Sequence, residues 1–112
     1  MKRLTVRLRA EANENLKDIY DWIVSESGYP QIAEKLVDRI FERCESLGDF
    51  PMKGRARDDL QKGVRILPFE RTAVIAYRIL VNEIEVINIF YAGRDYEVSL
   101  LNDDDSLSPT KE

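Results

Sequence analysis

Residues 72–91 hold two strand-like segments that are apolar on both sides. In residues 72–81, Ile75, Tyr77, Ile79 and Val81 fall on one side and Val74, Ala76 and Leu80 on the other. In residues 84–91, Ile84, Val86 and Phe90 fall on one side and Ile87, Ile89 and Tyr91 on the other. Successive strand residues point to opposite faces, so a sheet built from these segments needs cover on both. Asn82 and Glu83 between them predict a two-residue turn, with Asn82 tolerant of positive φ, so the pair reads as a tight hairpin.

The rest of the chain must supply the cover. Leu4, Val6 and Leu8 alternate with Arg3, Thr5, Arg7 and Arg9, which predicts a half-buried strand over 3–9. The charges at every second position also exclude a signal-peptide core. The period then changes. Ala12, Leu16, Ile19, Tyr20 and Ile23 predict an amphipathic helix over 11–26, stopped at Gly28. Pro30 suits the first turn of a second helix over 31–47, with Ile32, Ala33, Leu36, Val37, Ile40, Phe41, Cys44 and Leu47 on its apolar stripe. A polar link over 52–63 leads to a strand at 64–67 and then the hairpin.

The expected fold is α+β in the order β-α-α-β-β-β: an antiparallel sheet with a helical hairpin on one face. One domain over 1–100 is expected, followed by an acidic disordered tail over 101–112. No further helix is expected, so the second apolar face calls for another chain.

Composition narrows the chemistry. The chain has no histidine, which excludes His-based triads and His-containing zinc sites. Cys44, the single cysteine, sits on the apolar stripe and reads as core rather than nucleophile. No cofactor and no metal are expected; Asp103, Asp104 and Asp105 are consecutive tail residues that cannot preorganise ligands. No apolar run is long enough for a membrane span, and the cytosol is the expected compartment. The five acids and one base of residues 97–112 leave sixteen of each in residues 1–96, a neutral body with a basic stretch over 53–78. That balance suits an acidic or anionic partner but is poor for docking on ribosomal RNA.

Three segments then resemble a family. The first is Ala12-Asn13-Glu14-Asn15-Leu16-Lys17-Asp18-Ile19-Tyr20-Asp21-Trp22-Ile23. The second is Leu47-Gly48-Asp49-Phe50-Pro51-Met52-Lys53-Gly54-Arg55-Ala56-Arg57-Asp58-Asp59-Leu60 with Gly63-Val64-Arg65. The third is Ile75-Ala76-Tyr77-Arg78 with Ile89-Phe90-Tyr91-Ala92-Gly93-Arg94-Asp95. In this order they resemble the ParE branch of the RelE/ParE type II toxin superfamily, from about residue 4 to residue 100.

The resemblance implies a toxin held in a hetero-oligomer by a ParD-like or related antitoxin, with DNA gyrase as target and no chemistry of its own. It implies no membrane partner and no sequence-specific nucleic-acid binding. Two alternatives are a ribosome-dependent mRNA endonuclease of RelE type and a non-toxic antitoxin-binding homologue. A nuclease would use Arg55, Arg65 and Arg94, which sit where they could converge. Its terminal tyrosine, however, would fall near Leu100, out of register with Tyr96. Target-contact candidates are therefore Arg55, Arg65, Arg94 and Tyr96. Antitoxin-binding candidates are Trp22, which is otherwise a lid on the helical hairpin, and Val74, Leu80 and Phe90 on the expected open face.

Overall fold

The structure, a computed structural model, describes residues 3–102. Strand β1 (Thr5–Leu8) leads into helices α1 (Ala10–Ser27) and α2 (Pro30–Ser46). Strands β2 (Arg55–Ala56), β3 (Arg65–Phe69), β4 (Ala73–Ile79) and β5 (Glu83–Tyr91) follow, and a third helix, α3 (Tyr96–Asn102), closes the order. Among the described residues no helix is long and apolar enough to cross a membrane.

The helical hairpin forms as its periodicity predicts. Gly28 takes the left-handed conformation at φ 79°, and its N–H donates to the Val24 carbonyl at 2.7 Å, ending α1. Pro30 opens α2, whose Ala33, Leu36, Ile40 and Cys44 are buried at helical spacing.

The sheet runs β1-β5-β4-β3-β2. It is mixed rather than wholly antiparallel. β1 pairs parallel with β5, Thr5 opposite Glu83 and Leu8 opposite Val86. Parallel strands cannot be joined by a tight turn, and here both helices and β2, β3 and β4 lie between β1 and β5 in the chain. Arg7 reaches Glu83 at 2.9 Å and Glu85 at 3.3 Å across that pair, matching charge to register on an exposed edge. The β4–β5 turn is shifted by one residue from expectation. Leu80 N–H donates to the Glu83 carbonyl at 2.7 Å, so Val81 and Asn82 form the two-residue turn, with Val81 92% exposed at its tip.

A β-bulge alters the faces. Ala76 pairs with Asn88 but the next residue, Tyr77, pairs with Val86, leaving Ile87 extra. Beyond the bulge the alternation inverts. Ile89 joins Ile84 and Val86 beneath the helices, while Ile87 and Phe90 turn to the outer face. The expectation that Phe90 shares a face with Ile84 and Val86 is thereby corrected.

The outer face is also covered from within the chain, contrary to expectation. Leu60 and Val64 from the 57–64 link, and Tyr96 and Leu100 from α3, pack on Ile66, Ala76, Ile87 and Phe90. The Gln61 amide anchors α3. Its Nε2 donates to the Leu100 carbonyl at 2.7 Å, and its Oε1 accepts from Arg78 at 2.7 Å. Arg57 adds an ion pair to Glu97 at 2.9 Å. Leu101 and Asn102, expected in the tail, complete α3. The remaining expected tail, with Asp103, Asp104 and Asp105, lies outside the described residues.

Candidate functional site

Two clefts flank the C-terminal end of β5 and share Tyr91 and Arg94. They exist because β5 outruns β1. The parallel pairing stops at Val86, whose carbonyl accepts the Arg9 N–H at 2.9 Å as the chain leaves for α1. The Ile89 N–H then lies without a strand partner. The Asn15 side chain takes that place, its Oδ1 accepting from Ile89 N–H at 2.9 Å and from the Asn88 amide at 3.1 Å.

Beyond this plug, α1 and β5 diverge into a cleft of about 190 Å³ lined by Asn15, Asp18, Trp22, Ile89, Tyr91 and Arg94. Trp22 meets Tyr91 edge-on, with ring centroids 5.3 Å apart, and keeps 43% of its surface exposed. It thus serves as wall and as open apolar surface at once. Burial pushes the Tyr91 phenol above its ordinary value.

The second cleft, about 200 Å³, lies on the outer face. Pro68, Val74 and Phe90 stand side by side across β3, β4 and β5 and form its floor. Tyr96 packs on Phe90 with ring centroids 6.2 Å apart. Two turns bring the arginines here. Ala92 and Gly93 are both left-handed, at φ 58° and 77°, and swing the chain off β5 so that Arg94 borders both clefts. Between β3 and β4, Glu70 and Arg71 are also left-handed, at φ 46° and 64°, and Thr72 N–H donates to the Phe69 carbonyl at 2.9 Å. This is a type I′ turn built without glycine or asparagine. Left-handed backbone costs an ordinary L-residue roughly 1–2 kcal/mol. Glu70 is steadied by a two-bond contact with Arg39, at 3.0 and 3.1 Å, which holds its carboxyl below the usual range. Among the described residues Arg71 has no such partner, and it lines the cleft.

The structure therefore gathers five of the predicted residues about one ridge: Trp22 on the helix side, Val74, Phe90 and Tyr96 on the outer face, and Arg94 between. Phe90 is only 9% exposed, so it contributes floor rather than open surface. Leu80 lies at the opposite end of the β4–β5 hairpin, 37% exposed.

Arg55 and Arg65 also lie elsewhere. Arg65 stands opposite Tyr77, and its guanidinium donates to the carbonyls of Gly54 and Met52. That makes Arg65 a brace for the backbone before β2. Arg94 follows Tyr91, which pairs with Ala73, four residues along β4 from Tyr77. At about 3.3 Å per residue this separates Arg65 from the ridge by about 13 Å. Arg55, opposite Ile66, neighbours Arg65 across β2 and β3, so those two share one end of the sheet and Arg94 stands at the other.

Sequence reasoning missed Asn15, Gln61 and Arg71. Each gains its role from a distant strand or helix, and none lies in a pattern that periodicity detects.

A family model for the ParE toxin of the type II toxin–antitoxin system parDE matches residues 6–96. Among solved structures, the chain is similar to one of the chromosomal ParDE toxin–antitoxin system of P. aeruginosa. Identity is 28% and the TM-score 0.71, over 80% of this chain and 97% of that one. The fold also resembles a chain of the RelBE2 toxin–antitoxin complex of Mycobacterium tuberculosis, at 20% identity and TM-score 0.56, over 80% and 99% of the two chains. It further resembles the solution structure of a conserved hypothetical protein of Helicobacter pylori, at 11% identity and TM-score 0.51, over 81% and 97%. No curated protein matches the sequence.

Proposed function

The chain belongs to the ParE toxin family of type II toxin–antitoxin systems, and on that premise we propose that it acts in the cytosol as a toxin that works by contact. Its target in this reading is DNA gyrase, and a cognate antitoxin neutralises it along the ridge at the end of β5. The family supplies the target. The observation that carries contact over chemistry is the separation of Arg94 from Arg55 and Arg65. RNA cleavage needs cations converging on one phosphate and a group to take the 2′-hydroxyl proton. Here Arg65 is committed to the Gly54 and Met52 carbonyls, and Arg94 stands at the other end of the sheet.

The likeness to the P. aeruginosa ParDE structure supports an antitoxin partner. The ridge offers an apolar ring in Trp22 and a cation in Arg94, the residue types that dominate contact hot spots.

The test is direct. Purified protein should inhibit gyrase supercoiling in vitro and leave mRNA intact in a translating extract. Ribosome-dependent cuts at discrete mRNA positions would overturn the reading. Expression without an antitoxin should arrest growth; unimpeded growth would mark a homologue that only binds.

A further inference from the structure

We infer that the outer cleft bordered by Arg71 and Arg94 receives an acidic side chain that a partner protein carries beside a small aliphatic anchor. The inference rests on the contact reading above and names the chemistry of one part of that contact.

Three observations carry it. The first concerns the arginines. Among the described residues, Arg3, Arg7, Arg9, Arg39 and Arg57 pair with acids, and Arg43, Arg65 and Arg78 donate to carbonyls. Only Arg55, Arg71 and Arg94 have neither kind of partner within those residues, and two of these three border the same cleft. The second concerns how Arg71 arrives. The β3–β4 turn holds it left-handed at φ 64°, where asparagine or glycine would sit without strain. Backbone strain of this kind concentrates at functional positions. The third is the floor. Pro68, Val74 and Phe90 are apolar, and the Phe90 ring is covered by Tyr96 rather than offered as a flat stacking face. A volume of about 200 Å³ is small for a cofactor and suits one or two side chains. Two cations over an apolar floor match a carboxylate next to a Leu- or Val-like group, with the carboxylate accepting charge-assisted hydrogen bonds from both guanidinium groups.

The experiment titrates the full-length ¹⁵N-labelled chain with acetyl-Leu-Glu-amide, acetyl-Leu-Gln-amide and a four-nucleotide oligothymidylate, reading amide shifts. Expected are shifts at Thr72, Gly93 and Arg94 with the Glu probe, and binding about fivefold or more weaker with the Gln probe. Arg71→Gln and Arg94→Gln should each weaken the Glu probe, while Arg55→Gln, with an equally unpaired cation outside the cleft, should not. A paired change, Glu70→Asn with Arg71→Gly, suits the turn and preserves folding, and it should also lose the preference for Glu. Equal binding of the two peptides, or shifts with the oligonucleotide alone, would overturn the inference. A protein that inhibits gyrase yet ignores the Glu probe keeps the function above and loses this site. One that binds the probe without inhibiting gyrase keeps the site and loses that function.

Discussion

The Tyr77 hydroxyl accepts the Gly54 N–H at 2.8 Å and donates to the Pro51 carbonyl at 2.6 Å, tying the loop before β2 to the centre of the sheet. A Cβ at position 54 would stand 2.6 Å from Tyr77 Cε1 and 2.7 Å from its hydroxyl oxygen. Gly54→Ala should therefore destabilise the fold by forcing the ring or the loop to move. Tyr77→Phe should cost about 1–3 kcal/mol, because it orphans a buried donor. Urea unfolding curves for both variants check this; a wild-type midpoint for either one contradicts it.

Gln61 is the buried polar link between the 57–64 link, α3 and β4. Gln61→Leu keeps the volume but strands the Leu100 carbonyl and an Arg78 N–H. The expected result is a local loss of about 1–3 kcal/mol. Hydrogen exchange reads it: amides of residues 96–102 should lose protection while those of β4 keep theirs.

Asn15 contributes an acceptor, not a donor, to Ile89 and Asn88. Asn15→Asp retains that acceptor and should be tolerated at neutral pH. Asn15→Leu removes it and should cost about 1–3 kcal/mol, with exchange of the Ile89 amide much accelerated. Equal stabilities for the two variants would refute the role.

Cys44 is fully buried, and desolvation pushes its thiol up to about 12 from an ordinary value of 9.0. The folded state holds this proton more tightly than the unfolded state. Its contribution to stability is thus complete below about pH 9 and is lost as pH rises towards 12. Stability should decline with pH across that window, and less steeply in Cys44→Ala. Thiol reagents should modify Cys44 only at the rate of global opening.

α1, α2 and the three long strands were legible because each carries a strong period: Ala33, Leu36, Ile40 and Cys44 at helical spacing, and Ile75 and Tyr77 against Val74 and Ala76 at strand spacing. The bulge was not. Residues 84–91 are apolar on both faces, so inserting Ile87 into the alternation leaves the hydropathy pattern unchanged. α3 was hidden for a different reason. Tyr96 and Leu100 supply only one helical spacing in seven residues, next to an acidic stretch that reads as tail. The ridge followed the same division. Trp22, Val74, Phe90, Arg94 and Tyr96 could be named from residue type and place, but Arg71 could not. Its importance depends on a type I′ turn whose usual residues are absent.

The parallel pairing of β1 with β5 also sets a clock. Thr5 meets Glu83, a residue made 78 positions later. At elongation rates of about 5–20 residues per second that interval is roughly 4–16 s. Until then the helical hairpin has no finished sheet to rest on, because β3, β4 and β5 all follow it in the chain. A ribosome that stops before Glu83 releases helices without β5, and with neither Tyr91 nor Arg94 there is no ridge. A nascent fragment of that kind therefore carries the helical hairpin without the surface at the end of β5, which forms only after Arg94 has been made.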